Sequence, residues 1–157
     1  MEEKLKARAI IVDDDNNVIL IRYASMYMFP GGSVEQDESI DIALIRELEE
    51  ELGVSYEQDE LTYLTAYEKM QPNYPLPTGE VVDRKLITHY YVLPYKTVNI
   101  KRQNLTDMEK QEKFAILKAN IEDLAYNFDY VSDNPRADHF KEEMNYIINY
   151  YLKEKRK

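Results

Sequence analysis

The sequence contains no cysteine and no tryptophan, and only four glycines in 157 residues. Without cysteine there are no disulfides and no thiolate-bound zinc, and the composition fits a reducing cytoplasm. No apolar run approaches the ~18 residues that a membrane span needs. The charged N-terminus, residues 1–12, lacks the apolar segment of a signal peptide. We therefore expect a cytoplasmic protein with no membrane partner.

Acidic residues outnumber basic ones by 30 to 20, which gives a net charge of −10 and an isoelectric point near 4.7. Such a balance argues against a nucleic acid or an anionic membrane as partner, because like charges repel. A polyphosphate can still bind an acidic protein when metal ions bridge the two. The length predicts a single domain, residues 1–157, with a substantial core.

Three of the four glycines lie in one segment, residues 31–54, which reads GGSVEQDESIDIALIRELEEELGV. Residues 39–52 contain neither glycine nor proline and consist mostly of good helix formers. Ser39 suits the N-cap of a helix, and Gly53 suits a left-handed C-cap. The pattern predicts a helix over residues 39–52, preceded by a Pro-Gly-Gly turn at Pro30–Gly32.

The predicted helix has an apolar stripe with an acidic arc beside it. At about 100° per residue, the stripe comprises Ile40, Leu44, Leu48 and Leu52. Glu47, Glu50 and Glu51 fall on the neighbouring arc, whereas Glu49 points to solvent. Each like-charge pair at i,i+3 or i,i+4 costs an isolated helix roughly 0.2–0.5 kcal/mol. A hard cation such as Mg²⁺, which prefers oxygen ligands, would remove that cost; a simply solvated acidic face is the alternative.

The same stretch resembles the signature of Nudix hydrolases: Gly, five residues, Glu, seven residues, then Arg-Glu-apolar-x-Glu-Glu-x-Gly-apolar. We call residues 32–54 the Nudix box. An aromatic residue followed by Pro-Gly also precedes it, as is usual in the family. The matching positions are Gly32, Glu38, Arg46, Glu47, Leu48, Glu50, Glu51, Gly53 and Val54.

The resemblance implies a role for individual residues of the box. Glu47, Glu50 and Glu51 match metal ligands for Mg²⁺ or Mn²⁺. Glu47 is also the first candidate for activating water, and Glu50 is a second catalytic candidate. Glu38 and Arg46 match a structural pair that holds the loop to the helix. The carbonyl of Gly31 is a candidate for a further ligand, because a glycine lets the backbone approach a metal closely.

Further site residues are expected outside the box. Family members often recruit one more carboxylate from the loop before the last strand, where Glu109 and Glu112 lie. Arginine can bind phosphate oxygens in a bidentate way, and tyrosine can stack on a base. The substrate-binding candidates on these grounds are Arg22, Arg84, Tyr27, Tyr67 and Tyr74. An ordinary surface role is the alternative for each of them.

The remaining chain alternates between strand and loop patterns and ends in an amphipathic helix. Strands are predicted at residues 7–12, 18–23, 61–70, 85–95 and 114–117, and the C-terminal helix at 139–153. Connecting segments are predicted at 13–17 (a hairpin turn rather than a calcium loop), 24–32, 71–83, 101–112 (loop or short helix) and 120–124 (turn or helix). His89 is read as a packed strand residue. This order predicts an α/β fold, an α/β/α sandwich with a mixed sheet. The resemblance implies the same architecture, a Nudix-type α/β/α sandwich.

The resemblance implies metal-dependent hydrolysis of a nucleoside diphosphate linked to another moiety. Nucleoside triphosphates, including oxidised ones, nucleotide sugars and dinucleoside polyphosphates all remain candidate substrates. The alternative is a non-catalytic Nudix-fold sensor that binds a nucleotide, and a third class is a purely structural acidic domain. The expected partner is a small-molecule nucleotide, and a homodimer is compatible with the family.

Overall fold

A mixed β-sheet forms the centre of the fold. The computed structural model describes residues 1–111, 114–125 and 128–157. Within these ranges seven strands build one sheet: β1 (Glu2–Val12), β2 (Asn17–Tyr23), β3 (Met26–Met28), β4 (Gly31–Ser33), β5 (Thr62–Pro75), β6 (Val81–Pro94) and β7 (Ala115–Asn120). The strand order is β3-β2-β1-β6-β5, while β4 pairs with β1 and β7 with β2. The pairing of β1 with β6 is parallel and the other pairings are antiparallel, so the predicted mixed sheet is confirmed.

Helices cover both faces of the sheet. They are α1 (Ile40–Leu52), α2 (Asp107–Gln111), α3 (Ile121–Leu124) and α4 (Ala137–Lys155), and short 3₁₀ turns lie at Gln58–Glu60 and Ile100–Arg102. In the described part of the chain, no helix has an apolar stretch long enough to cross a bilayer.

The alternation of side chains along β1 divides the core into two layers. Successive residues of a strand point to opposite faces of the sheet. Ala9 and Ile11 therefore join one buried cluster with Leu48 of α1. Ile10 joins another with Ile147 of α4. The two clusters, one on each face, establish the α/β/α sandwich.

Helix α1 begins and ends where the sequence predicts. Ser39 has the extended backbone of an N-cap, although its Oγ donates to Asp41 Oδ1 (2.7 Å) rather than capping the backbone. Gly53 is left-handed, with φ of 66°, and its N–H donates to the carbonyl of Glu49 at 2.9 Å. Leu44, Leu48 and Leu52 of the predicted stripe are fully buried.

The prediction of a loop at residues 71–83 is wrong, because β5 and β6 continue through most of this segment as a long hairpin. Proline is tolerated here because β5 lies at the end of the sheet path and pairs with β6 alone among the described residues. The register shifts between Gln71 and Tyr74. At this bulge Asn73 adopts a φ of 55°, and its N–H donates to Asp83 Oδ1 at 3.0 Å.

The boundaries of the other strands and turns differ less from those predicted. β1 begins at Glu2 instead of residue 7, because its charged first half still pairs with β6. The predicted loop at 24–32 contains β3 and the start of β4, and residues 120–124 end in the helical turn α3. The hairpin turn at 13–17 is confirmed, with Asp13 Oδ1 accepting the N–H groups of Asp15 and Asn17 at 2.9 Å each. His89 lies in β6 as expected and shares a hydrogen bond with the Tyr63 hydroxyl at 2.9 Å.

Replacing Gly53 with alanine should destabilise the fold more than replacing Gly79. Both glycines have positive φ, +66° and +88°, so alanine strains either site by roughly 1–2 kcal/mol. A Cβ at position 53 would also lie 2.0 Å from the carbonyl oxygen of Asn99, whereas one at position 79 would meet no described atom within 4 Å. Urea unfolding of both variants measures the difference. Equal losses of unfolding free energy would contradict the close approach at Gly53.

Candidate functional site

The turn before α1 is fixed to β1 by backbone contacts. Arg8 is buried, and its Nη1 donates to the carbonyl of Phe29 at 2.8 Å. The N–H of Ala9 donates to the carbonyl of Pro30 at 2.8 Å. At Gly31 φ is +142°, and a Cβ would lie 2.1 Å from the Ala7 carbonyl oxygen. Glycine is thus required there by the approach of β4 to β1. The Gly31 carbonyl as a metal ligand stays a prediction.

Glu51 is a buried carboxylate held by the turn. Its side chain is 6% exposed, and Oε1 accepts the N–H of Gly31 at 2.8 Å. Burial raises the pKa of Glu51 well above its usual value, since a desolvated carboxylate is costly. The Gly31 hydrogen bond and the charge of Arg8 act in the opposite direction, while Glu47 and Glu109 add to the rise.

Glu47 lies against the second glycine of the turn. A Cβ at Gly32 would lie 2.5 Å from the carboxyl carbon of Glu47, so the glycine leaves the space that this carboxylate fills. Burial raises the pKa of Glu47, the Arg46 guanidinium opposes the rise, and Glu50 and Glu109 add to it. Glu47 and Glu51 therefore share an environment that disfavours negative charge.

Arg46 binds Glu38 in a bidentate way. Nε donates to Oε2 at 2.8 Å and Nη2 donates to Oε1 at 3.0 Å. Nη2 also donates to the carbonyl of Ser33 at 3.1 Å. The hydrogen bond to Glu38 raises the pKa of Arg46, and the same bond lowers the pKa of Glu38. The structure thus brings the expected loop-to-helix pair together.

Arg46 also reaches the carboxylates of the helix. Its Nη1 lies 3.1 Å from Glu47 Oε1 and 3.4 Å from both carboxylate oxygens of Glu50. Across residues 1–111, 114–125 and 128–157, no three His, Asp or Glu side chains are gathered closely enough to hold a metal ion. The expected convergence on one point is absent here because Glu47 and Glu50 turn to Arg46, and Glu51 turns to Gly31.

The segment after β6 caps the C-terminal end of α1. The N–H groups of Asn99 and Asn104 donate to the carbonyls of Leu52 (2.9 Å) and Glu50 (2.8 Å). The side-chain amide of Gln103 donates to the carbonyl of Glu51 at 2.7 Å. These bonds satisfy carbonyls that a helix end leaves without partners. Sequence reasoning missed them because such amide residues carry no periodic signal.

The same segment leads into α2, which carries one of the two extra carboxylate candidates. Glu109 Oε1 accepts the N–H of Thr106 at 2.9 Å. Its charge nevertheless contributes to the raised pKa of Glu47 and of Glu51, so Glu109 lies within electrostatic reach of both. Glu112 lies outside the described residues.

Two of the substrate-binding candidates, Arg84 and Tyr74, line a cavity of about 730 Å³ between β1, β5, β6 and α4. The guanidinium carbon of Arg84 lies 3.4 Å from the centre of the Tyr74 ring. One face of this ring is therefore covered by Arg84 and is not open to a base. The cavity extends to Arg8 and Ser33, beside the Nudix box.

The other three candidates lie elsewhere, and none lines this cavity in the described structure. Arg22 and Tyr27 face each other in the β2–β3 register, with the guanidinium 5.9 Å from the ring centre. Tyr27 packs edge to face on Tyr130 at 4.9 Å. Tyr67 lies 5.4 Å from the ring of Tyr146 in α4. These contacts are those of ordinary packing.

Sequence reasoning also missed the basic wall of the cavity. Lys4, Lys6 and Arg8 occupy alternate positions of β1 and share one face of the sheet. That period of two is visible in the sequence. The sequence predicts the first strand only from residue 7, because the alternating residues before it are charged.

Comparison with known proteins gives a consistent family match. The family model described as NUDIX domain matches residues 3–138. The 8-oxo-dGTP diphosphatase of Escherichia coli K12 is 32% identical over 80 residues, covering 46% of this chain and 58% of that protein. The enzyme of the same name from Proteus vulgaris is 34% identical over 68 residues, covering 40% and 61%. The chain therefore spans about three fifths of the length of these curated relatives.

A solved structure extends the similarity to most of the chain. The solution structure of the E. coli ORF135 protein superposes with a TM-score of 0.56 at 25% identity, covering 90% of this chain and 88% of that one.

Replacing Glu51 with glutamine should remove a pH dependence of stability, measured in EDTA. Because folding raises the pKa of Glu51 above its usual 4.5, the folded state holds this proton more tightly than the unfolded state. The contribution of this proton to the free energy of unfolding is fully present below pH 4.5. It is lost as the pH rises through the pKa of Glu51 in the folded state, at about 1.4 kcal/mol per pKa unit between the folded and unfolded values. Urea unfolding between pH 4 and pH 9 measures this loss.

The exposed Glu49 on the same helix provides the matched control. Glu49→Gln should keep the wild-type slope of unfolding free energy against pH. Glu51→Gln should reduce this slope, and the part that remains includes the contribution of Glu47, whose pKa is also raised. Identical slopes in the wild type and Glu51→Gln would show that this carboxyl does not titrate differently on folding.

Proposed function

Because the chain belongs to the Nudix family, whose domain spans residues 3–138, we propose that it is a metal-dependent nucleotide pyrophosphohydrolase. It would hydrolyse a nucleoside diphosphate linked to another moiety, with Mg²⁺ or Mn²⁺ as cofactor. The observation that carries the proposal is the pair of desolvated, mutually repelling carboxylates, Glu47 and Glu51, at one edge of the box helix. Such a pair favours a bound dication.

The chemistry of these side chains suits a hard divalent cation, although Glu47 and Glu50 would have to turn from Arg46 to hold it. Carboxylate oxygens are the ligands that Mg²⁺ prefers. Gly32 leaves room for the carboxylate of Glu47, and the charges of Glu47 and Glu109 raise the pKa of Glu51. Glu47, Glu50 and Glu51 would hold the ion, with the Gly31 carbonyl and Glu109 as further ligand candidates. Arg46 offsets part of the repulsion through its contacts with Glu47 and Glu50.

The reaction follows from these positions. When bound, the dication would neutralise charge on the phosphate oxygens and lower the pKa of its water. Glu47, whose pKa is raised by burial, is the carboxylate that would accept the proton of the attacking water. The new P–O bond forms as the bridging P–O bond breaks, and the leaving phosphate takes the electron pair. Glu38 holds Arg46, and through it the turn at Ser33, in place.

The choice of nucleotide is open within this class. The curated relatives are named 8-oxo-dGTP diphosphatases, which makes oxidised and normal nucleoside triphosphates the first compounds to test. Nucleotide sugars and dinucleoside polyphosphates complete the panel. One domain over residues 1–157, a cytoplasmic location and a homodimer stay predictions.

Replacing Glu47 or Glu50 with glutamine should lower hydrolysis roughly 10²–10⁴-fold, the usual contribution of a general acid–base group. Release of phosphate and pyrophosphate from the panel, with Mg²⁺ or Mn²⁺, measures this. Glu49→Gln, the exposed neighbour, should keep wild-type rates. Equal, near-background rates in all these proteins would favour the non-catalytic sensor.

Millimolar Mg²⁺ or Mn²⁺ should raise the melting temperature of the wild type, because a ligand that binds only the folded state stabilises it. The gain is about 2.7 kcal/mol when the ion is at 100 times its Kd. Glu47→Gln and Glu51→Gln should lose most of this shift, while Glu49→Gln keeps it. A melting temperature insensitive to both ions would favour a purely structural acidic domain.

A further inference from the structure

The cavity between β1, β5, β6 and α4 is strongly basic, although the chain as a whole carries a net charge of −10. His139 lies at its exposed rim, and among the described residues Glu143 is its single carboxylate. Glu143 is buried and accepts a hydrogen bond from the Tyr90 hydroxyl. The six cationic side chains that line the cavity are Lys4, Lys6, Arg8, Lys69, Arg84 and Arg136.

These cations are not paired directly with carboxylates in the described part of the chain. Within the described ranges, none of the six has a carboxylate oxygen within 4.0 Å, although eleven ion pairs of that kind occur elsewhere. Arg8 donates to the Phe29 carbonyl and Arg84 donates through Nε to Gln71. The hydrogen bonds of these two arginines are with neutral groups, and the carboxylates Glu142 and Glu143 act on Lys69 through their charge alone. The positive charge of the cavity is therefore only partly offset.

Burial first, and like charge second, disfavour the protonated form of the lysines in the cavity. Burial, followed by the charge of Arg8, lowers the pKa of Lys6 to about 8. Burial also lowers the pKa of Lys69. Anions are attracted into a cleft lined by one sign of charge, because its low-dielectric walls focus the field. A bound anion would remove the repulsion, and phosphate also matches the fork of an arginine.

A neutral nucleobase is a poorer match to the same walls. Tyr74 has one ring face covered by the Arg84 guanidinium. Phe140 packs with the apolar cluster beneath α1. Most of the aromatic surface on which a base would stack is thus covered by other protein groups. The cationic groups, in contrast, have no direct carboxylate partner in the described structure.

The cavity is continuous with the Nudix box. Ser33 lines it, and the carbonyl of Ser33 accepts a hydrogen bond from Arg46. Arg8 lines it as well, and the charge of Arg8 acts on Glu51. A substrate whose diphosphate lies at the box carboxylates would therefore have its remaining part close to the basic wall.

We propose that this cavity binds an additional phosphate group of the substrate, separate from the diphosphate that is cleaved. This rests on the proposed function and narrows the substrate class to nucleotide anhydrides that carry a further phosphate. Lys69 on β5 and Arg84 on β6 are the discriminating residues, because both lie in the wall away from the box carboxylates.

Binding to the metal-free protein tests the cavity without requiring hydrolysis. Titration calorimetry in EDTA compares adenosine 3′,5′-bisphosphate and 2′,5′-bisphosphate with AMP, which lacks the second phosphate and, like them, has no diphosphate. At least one bisphosphate should bind about tenfold more tightly than AMP, as expected for a charge-assisted hydrogen bond. Lys69→Met and Arg84→Met should each reduce this preference severalfold.

Lys85→Met is the matched control, because Lys85 neighbours Arg84 on β6 but pairs with Glu68 and does not line the cavity. It should keep the full preference, and the melting temperatures of all three variants verify folding. Wild-type affinities that are equal for AMP and both bisphosphates would overturn the proposal. A preference that survives in both Lys69→Met and Arg84→Met, or falls equally in Lys85→Met, would overturn it as well.

Hydrolysis separates failure of this inference from failure of the proposed function. ADP-ribose and its 2′-phosphate share one cleavable diphosphate, as do dephospho-coenzyme A and coenzyme A with its 3′-phosphate. At least one phosphorylated member should have the higher kcat/KM, and Arg84→Met should remove the advantage. Hydrolysis without any such advantage would overturn the inference and leave the hydrolase. A bisphosphate preference without hydrolysis of any panel compound would overturn the hydrolase and leave the phosphate site.

Discussion

The hydrogen bond from the Gly31 backbone to the buried carboxylate of Glu51 connects three elements: β4, β1 and α1. Gly31 can lie against β1 only without a Cβ, and this contact aims its N–H at the helix. A carboxylate is costly to desolvate, and the hydrogen bond from Gly31 and the charge of Arg8 offset part of that cost by stabilising the ionised form of Glu51. Together with the buried stripe of Leu44, Leu48 and Leu52, this contact places α1 on the sheet.

Opposite charges are sorted to two adjoining regions of the protein. The carboxylates lie at the edge of α1, and the lysines and arginines lie on the other face of the sheet, beneath α4. Arg8 belongs to both regions, since it lines the cavity and acts on Glu51. An acidic protein can thus present a positive surface next to a group of carboxylates.

Local features were predictable from the sequence, whereas contacts between distant segments were not. The limits of α1 follow from Ser39 and Gly53, and the acidic arc follows from helical spacing. The contact of Arg84 with Tyr74 depends on the register of the β5–β6 hairpin. The prolines in this hairpin predict a loop instead of strands, so the register could not be predicted. Likewise, Lys6 lines the same cavity as Lys69 and Arg136 because β1 pairs with β6, β6 pairs with β5, and α4 covers that face. The position of Arg46 between two glutamates reflects their repulsion, which periodicity does not report.

The prolines of β5 have a consequence beyond the hairpin. An outermost strand exposes unpaired backbone groups, which invite edge-to-edge association and fibre growth. Pro72 and Pro75 have no N–H to donate, and the bulge at Asn73 interrupts the regular spacing of the others. This end of β5, residues 72–75, is consequently a poor template for a strand from another molecule. Continuation of the sheet by a second chain is disfavoured there.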